Sequence, residues 1–366
     1  MKIINRKSKA YFFIVALLVL TALVNGCSAK DPFATNVNEI KETMQSEGAD
    51  GLGEGVQETA DAEMFNDEDL TVVGVSQLGS ESAWRTANTE SVQKALTTDN
   101  GYFMIFNNAR QKQENQIKAI RSFISQRVDY IVFAPVIEDG WETVLQEAND
   151  AGIPVILMDR AISKRDDDLY TTRVGTDAKG EGEKAGKWLE KELVRQGRNR
   201  EDINIVVIQG TVGSSSQRGR TMGFDIISDS HPNWHILAQM DGDFTTSKGK
   251  EVMEQILSAY DDIDVLVCQN DDMTMGALEA LDKAGISTGI NGDIILISFD
   301  ATHEALKLVK EGIINVDIEC NPNQGEYISN IIKKLEAGEE VEKLYIVDEN
   351  IFTIDNVEEF IENRTY

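Results

Sequence analysis

The sequence contains few of the residues on which metal and disulfide chemistry depend. It has three histidines and three cysteines in 366 residues. His231 and His235 lie four residues apart, but Pro232 separates them and no third ligand stands beside them, so their spacing does not indicate a metal site. Cys268 and Cys320 lie in or after apolar runs without CxxC or zinc-type spacing, so buried free thiols are expected, with a disulfide left open. We predict neither a metal nor a cofactor.

Positive charge is also scarce. There are 35 Lys and Arg residues against 63 Asp and Glu, which gives a formal net charge of −28. A charge of that sign opposes binding to nucleic acid and to anionic membrane surfaces. The sequence also has no GxSxG elbow, HExxH pair or EF-hand loop, so nothing in it argues for catalysis. Apolar residues make up 41%, which is enough for real cores, and the length suggests two domains.

A long hydrophobic run occurs only near the N-terminus, at residues 11–24, and is too short to indicate a spanning helix. Basic residues precede this run, and its end overlaps the sequence Leu-Val-Asn-Gly-Cys at residues 23–27, which resembles a bacterial lipobox. We predict that residues 1–27 are a lipoprotein signal peptide and that Cys27 becomes the lipidated N-terminus. The alternatives are an ordinary signal peptide with a chance cysteine and an uncleaved anchor.

Residues 28–69 are acidic and lack apolar periodicity, which indicates a solvated tether before a folded body that begins at Leu70. Apolar runs typical of strands then alternate with segments of helical periodicity. Strands are predicted at residues 70–76, 102–106, 130–134, 155–158, 203–209, 234–240, 265–269 and 294–299. Helices are predicted at residues 82–96, 111–126, 141–150, 215–229, 247–260 and 273–284. This order predicts an α/β fold with two doubly wound parallel-sheet lobes.

Polar side chains follow the predicted strands. The strand at 155–158 ends on Asp159 and Arg160, and that at 294–299 ends on Asp300; Asn270 follows the strand at 265–269. Because the carboxyl ends of parallel strands meet at one edge of a sheet, these side chains are expected to line a cleft. An Asp–Arg pair suits a ligand rich in hydroxyls, whereas the alternative is an ion pair that only ends a strand.

Two strand-to-helix loops add candidate ligand groups. Residues 76–85 contain Glu81, Trp84 and Arg85; the indole can cover the C–H face of a sugar ring while the charged groups bind its hydroxyls. The alternative is a core tryptophan beside a surface ion pair. Residues 209–220 are rich in Gly and Ser but lack a phosphate-loop ending, so phosphate binding is weakly indicated and Arg218 or Arg220 can equally donate to hydroxyls.

Five runs together resemble the type I periplasmic-binding proteins, the sugar-binding components of ABC importers, and in particular their galactofuranose-binding branch, which is related to the ribose-binding proteins. The resemblance spans nearly everything from Leu70 to the C-terminus. The runs are residues 75–85, 111–119, 209–213, 242–253 and 270–273.

The resemblance implies a set of sugar ligands contributed by both lobes. From the first lobe it implies Glu81, Trp84, Arg85, Asp159 and Arg160. From the second lobe it implies Asn270 and Asp300, an aromatic at Phe244 that closes over the ring, and a hinge-side ligand at Glu319. Ribose binders have an arginine at the position of Arg218 and the galactofuranose branch at that of Arg220, so the choice between the two stays open.

The resemblance further implies a three-segment hinge between the lobes, which would comprise residues 70–174 with 321–347 and residues 175–320 with 348–366. Hinged lobes bind by closing around their ligand. We therefore expect a lipid-anchored, monomeric, extracytoplasmic binding protein of a Gram-positive-type surface. It would capture a monosaccharide, of galactofuranose type or another furanose-capable sugar, for an ABC permease and its ATPase, without catalysis.

Three alternative functions share features with this prediction. A sensory receptor that passes sugar occupancy to a signalling partner is not separable from a transport component by sequence. A sugar-responsive repressor would need a basic helix-turn-helix before Leu70, where the sequence is an export signal and an acidic tether. A sugar-converting enzyme would show turnover.

Overall fold

The computed structural model describes residues 70–366. The predicted signal peptide, the predicted lipidation site at Cys27 and the predicted tether lie outside the described residues. Among the helices of residues 70–366, none is long and apolar enough to cross a membrane.

Twelve strands form two six-stranded sheets in the described part of the chain. The strands are β1 Thr71–Gln77, β2 Tyr102–Asn108, β3 Tyr130–Phe133, β4 Val155–Asp159, β5 Thr172–Gly175, β6 Ile203–Gln209, β7 Trp234–Asp241, β8 Val265–Cys268, β9 Ile295–Asp300, β10 Val316–Glu319, β11 Leu344–Ile346 and β12 Ile351–Phe352. The first sheet has the order β11-β5-β4-β3-β1-β2 and the second the order β12-β10-β9-β8-β6-β7. All pairs are parallel except β10 with β12.

Helices connect the strands, as parallel pairing requires. They are α1 Ala83–Ala95, α2 Gln113–Gln126, α3 Glu142–Asp150, α4 Ala178–Arg195, α5 Ser215–Ser228, α6 Thr246–Ala259, α7 Asp271–Ala284, α8 His303–Lys310, α9 Gly325–Glu336 and α10 Glu358–Ile361. The predicted α/β class with two doubly wound lobes is confirmed. Below, each sheet with the helices packed on it is called the first lobe or the second lobe.

The chain passes between the sheets three times. After β5 it enters α4, which packs on α5 of the second lobe; after β10 it enters α9, which packs on α1 of the first lobe. It crosses again between β11 and β12. These crossings bring the strand ends of the two sheets to one region of the molecule.

The strand β4 illustrates why the sequence folds in this way. Ile156 and Met158 pack into one hydrophobic cluster of the first lobe, whereas Val155 and Leu157 pack into another. Both faces of the strand are therefore covered, as is usual for a parallel sheet flanked by helices. The strand ends at Asp159, whose φ of 60° is the left-handed region and turns the chain at the carboxyl edge.

The structure adds four helices that the sequence analysis does not predict, namely α4, α8, α9 and α10. Two of them carry a recognisable start signal. Asp177 caps α4 by accepting a hydrogen bond from the Gly180 amide at 3.0 Å, and Thr302 caps α8 by accepting one from the Ala305 amide at 3.4 Å. These capping residues were a signal in the sequence that could have located both helices.

Candidate functional site

A cavity with an empty volume of about 290 Å³ lies between the carboxyl edges of the two sheets. Its lining residues are Glu81, Ser82, Trp84, Arg85, Asp159, Arg160, Ser216, Arg220, Phe244, Asn270, Asp300 and Cys320. Nine of the eleven predicted sugar-binding residues are among them.

Four charged side chains form what we call the first-lobe wall: Glu81, Arg85, Asp159 and Arg160. The Arg85 guanidinium donates from Nε to Glu81 at 3.0 Å and from Nη2 to Asp159 at 2.6 Å. Arg160 donates from Nη1 to the Val136 carbonyl at 2.8 Å and lies 3.8 Å from the Asp159 carboxylate. All four side chains are at most 3% exposed. Two cations and two anions thus share one dry surface.

Burial and charge act differently on the two arginines of this wall. Burial and the neighbouring Arg85 cation together lower the pKa of Arg160 to about 10, against the opposing effect of the Asp159 carboxylate. Burial also lowers the pKa of Arg85, but the carboxylates of Asp159 and Glu81 outweigh it, so this pKa is raised overall. Both guanidiniums therefore remain charged donors at neutral pH.

Three buried atoms of the first-lobe wall have no hydrogen-bond partner within residues 70–366. They are Oε2 of Glu81, Nη1 of Arg85 and Nε of Arg160. A buried polar atom left without a partner costs about 1–3 kcal/mol, so such atoms mark a place where a ligand is expected to bind. They comprise one acceptor and two donors, and a hydroxyl group can satisfy either type.

We call Arg220, Phe244, Asn270 and Asp300 the second-lobe wall. Arg220 on α5 donates to Glu181 at 2.6 Å, to the Gln269 carbonyl and to Asp300 at 3.3 Å. Burial raises the pKa of Asp300 well above its usual range, despite the opposing Arg220 cation. The polar groups of Arg220 are thus already engaged within the lobe.

Asn270 has a structural role as well as a place in the cavity. It caps α7, where its Oδ1 accepts a hydrogen bond from the Met273 amide at 2.9 Å, and its Nδ2 donates to the Phe244 carbonyl at 3.3 Å. Substituting an Asn cap by Ala costs about 1 kcal/mol of helix stability. The residue therefore joins the start of α7 to the loop that holds Phe244.

Two aromatic rings complete the lining. Trp84 donates from its indole nitrogen to the Cys320 carbonyl at 2.5 Å, which ties α1 to the crossing after β10. Phe244 has a φ of 57°, and its ring centroid lies 5.2 Å from the Arg160 guanidinium carbon. A Cβ at Gly210 would collide with that ring, so glycine is required there. Both rings offer apolar faces of the kind that cover sugar C–H groups.

Two predicted ligands lie outside the cavity. The Arg218 side chain is 55% exposed and pairs with Glu138 of the first lobe at 2.6 Å, so Arg220 is the arginine of α5 that lines the cavity. Glu319 does not line the cavity, and its carboxylate binds Arg364 at 2.6 Å, the Tyr366 hydroxyl at 2.9 Å and Asn350 at 2.8 Å. The lining residues Ser82, Ser216 and Cys320 were not predicted as ligands.

Direct contacts also join the rims of the two lobes. The Glu138 amide donates to the Gly213 carbonyl at 3.1 Å, and the Ala161 amide to the Ser215 hydroxyl at 2.8 Å. On another side of the cavity, the Ala83 amide at the start of α1 donates to the Asp272 carboxylate at 3.1 Å. The lobes are therefore closed on each other in this structure.

Comparison with known proteins agrees with this arrangement. A family model described as a periplasmic binding protein domain matches residues 73–340. The chain belongs to this family. The resemblance to periplasmic-binding proteins that the sequence motifs predict is confirmed, including its galactofuranose-binding branch.

Individual relatives cover most of the chain. The galactofuranose-binding protein YtfQ of Escherichia coli is 41% identical over 296 residues, which are 80% of this chain and 91% of the relative. A crystal structure from Mycobacterium smegmatis in complex with β-D-fucofuranose is 42% identical, with a TM-score of 0.76 and coverage of 81% and 95% of the two chains. The binding protein of the arabinose ABC transporter from Shewanella sp. ANA-3, bound to L-arabinofuranose, is 39% identical, with a TM-score of 0.75 and coverage of 81% and 96%.

Proposed function

We propose that this protein captures a monosaccharide in its furanose form and delivers it to an ABC permease. The observation that carries the proposal is the set of three unpartnered atoms on the first-lobe wall, described above for residues 70–366. Sugar hydroxyls both donate and accept hydrogen bonds, so one ring can satisfy Glu81, Arg85 and Arg160 together.

The charges of the cavity favour a neutral ligand. On the first-lobe wall the two arginines balance the two carboxylates. On the second-lobe wall Arg220 is paired with Glu181, and burial favours the neutral form of Asp300 by raising its pKa well above the usual range. A charged ligand would add an uncompensated charge to a dry cavity, which is expensive. A polyol adds none, and its ring faces can rest on Trp84 and Phe244.

The relatives support a five-membered ring. Three relatives at 39–42% identity are named for galactofuranose or were solved with fucofuranose or arabinofuranose. We infer that the ligand is a hexose or pentose able to adopt the furanose form, with Glu81, Trp84, Arg85, Asp159, Arg160, Arg220, Phe244, Asn270 and Asp300 as its binding residues. The protein binds sugar without converting it.

We further propose how the protein is anchored to the membrane and how its two lobes are divided along the chain. Cys27 carries the lipid that holds the protein at the outer face of the membrane, residues 28–69 act as the tether, and the protein works as a monomer. The lobes comprise residues 70–174 with 321–347 and residues 175–320 with 348–366, and they close on sugar so that the permease recognises the closed form. Replacing Cys27 with Ser should abolish lipid labelling and release the protein from cells.

A thermal-shift screen followed by calorimetry tests the function. A sugar that binds only the folded protein raises its apparent stability by an amount that grows with concentration over Kd. We expect furanose-capable sugars such as arabinose and galactose to raise the unfolding temperature and to be recovered unchanged. Failure of every pentose and hexose to do so, or conversion of a sugar by the pure protein, would contradict the proposal.

A further inference from the structure

Beside the cavity, three metal-ligating side chains meet where the chain crosses between the sheets. We call Glu181, Cys320 and Glu349 the hinge cluster. Glu181 lies in the first turn of α4 after the first crossing, Cys320 directly follows β10, and Glu349 lies between β11 and β12. A carboxylate oxygen of each glutamate and the Cys320 sulfur all lie within 4.8 Å of one another. One small group could therefore contact all three crossings at once.

The cluster has free ligand atoms. Glu181 is fully buried and its Oε2 accepts a hydrogen bond from Arg220, but its Oε1 has no partner in the part of the chain that the structure describes. The Cys320 thiol is buried, and its sulfur approaches the Thr176 hydroxyl only at 3.9 Å. The Glu349 carboxylate accepts a long hydrogen bond of 3.4 Å from the Asn321 amide. Each member can thus offer a lone pair.

The charge of the cluster also favours a cation. Two carboxylates and an ionisable thiol share this space, and the Arg220 guanidinium pairs with one of them, Glu181. Removing acidic groups from water without compensating positive charge is costly, and a bound cation supplies such charge. Arg220 would then donate to the oxygen of Glu181 that does not bind the metal. Carboxylates that ligate a metal are commonly hydrogen-bonded by a second residue in this way.

We propose that the hinge cluster binds one divalent transition-metal cation of the Zn²⁺ type. A thiolate with two carboxylates suits such an ion, whereas Ca²⁺ and Mg²⁺ prefer oxygen ligands in larger number. Zn–S and Zn–O bonds of about 2.3 and 2.1 Å place tetrahedral ligand atoms about 3.6 Å apart. The distances between the three ligand atoms must therefore shorten by roughly 1 Å at most. Water would fill the fourth position of the metal.

Co²⁺ is the probe, because a cobalt–thiolate bond gives a charge-transfer absorption that reports on the cysteine itself. We expect chelator-treated full-length protein to take up one equivalent of Co²⁺ with this band and Zn²⁺ to displace it. Cys320→Ser should lose the band and bind Zn²⁺ at least tenfold more weakly. Glu349→Gln should keep the band but weaken binding. Cys268→Ser, which alters another buried thiol, is the matched control and should behave like wild type.

Three results would overturn the proposal: no band in the wild type, a band that persists in Cys320→Ser, or unchanged Zn²⁺ affinity in Glu349→Gln. The metal-free unfolding temperature of each variant checks its folding, and Glu349→Gln decides the matter if Cys320→Ser does not fold. No sugar is present in these titrations, so their outcome is independent of the proposed function.

Discussion

The two walls of the cavity differ in how much of their hydrogen-bonding capacity the protein itself uses. On the first-lobe wall, Glu81, Arg85 and Arg160 each keep one buried atom without a partner in residues 70–366. On the second-lobe wall, Arg220 is bound to Glu181, Gln269 and Asp300, and Asn270 caps a helix. The first-lobe wall thus holds more unused donors and acceptors than its partner.

This difference suggests a division of labour. The first lobe would recognise the pattern of sugar hydroxyls, because unpaired buried groups penalise any ligand that leaves them unsatisfied. The second lobe would supply a rigid surface and the Phe244 ring, and closure would bring the two together. Substitutions on the first-lobe wall should therefore weaken binding most.

The largest expected effect is that of Arg160→Ala. It removes a donor to the sugar and leaves Asp159 with one fewer positive neighbour, which should cost a few kcal/mol and lower affinity on the order of a hundredfold. Calorimetric titration with the sugar that best stabilises the wild type measures this change. Affinity like that of the wild type would remove Arg160 from the binding site.

A pH effect should come from the contact between the lobes at Asp272. In the closed structure burial, together with the carboxylates of Asp271 and Glu81, raises the pKa of Asp272 to about 6, against the opposing hydrogen bond from the Ala83 amide. When the lobes open, this pKa should fall towards its usual value of 3.8, so closure takes up a proton between about pH 4 and pH 6.

Sugar affinity should consequently increase as the pH falls through this window, by up to about 25-fold between pH 7 and pH 4.5. The Asp272→Asn variant keeps an acceptor for the Ala83 amide but cannot titrate. Its sugar affinity should therefore not show this increase at low pH. The quantity to measure is the difference between the two proteins. If the sugar affinities of the two proteins changed with pH in the same way, Asp272 would not be the group that takes up a proton on closure.

A smaller effect is expected for Phe244→Leu. Leucine keeps an apolar side chain beside Gly210 but loses the flat ring and its contact with the Arg160 guanidinium, worth about 0.5–1.5 kcal/mol. Sugar affinity should fall about fivefold, with little change in the unfolding temperature of the free protein. A loss as large as that of Arg160→Ala would reverse the proposed ranking of the two walls.

The smallest effect is expected for Arg218→Ala, the matched control for Arg160→Ala. Arg218 carries the same charge but lies half exposed outside the cavity, and exposed ion pairs contribute about 0–1 kcal/mol. Affinity should change by less than about threefold, through the lost Glu138 contact alone. A hundredfold loss would restore Arg218 as a ligand.

The sequence predicts the fold and much of the cavity because one rule links them. Parallel strands place their carboxyl ends together, so Asp159, Arg160 and Asp300 could be located from strand periodicity. The choice between Arg218 and Arg220 could not be made from the sequence. Two residues on a helix are turned by about 200° from each other, so only one can face the cavity, but identical side chains give no signal of which one.

Long-range contacts account for what the sequence could not show. The resemblance implies Glu319 as a hinge-side ligand, whereas in the structure its carboxylate binds Arg364 and Tyr366 from the end of the chain. The hinge cluster likewise gathers residues from three separate segments, with no local spacing to indicate a metal site. Pairings of this kind depend on packing that no local pattern encodes.

The most direct test of the account is a crystal structure of the protein with its best-binding furanose sugar. We predict that Oε2 of Glu81, Nη1 of Arg85 and Nε of Arg160 each lie within hydrogen-bonding distance of a sugar oxygen, with the ring against Phe244. A sugar held mainly by the second-lobe wall, with those three atoms still unpartnered, would contradict it.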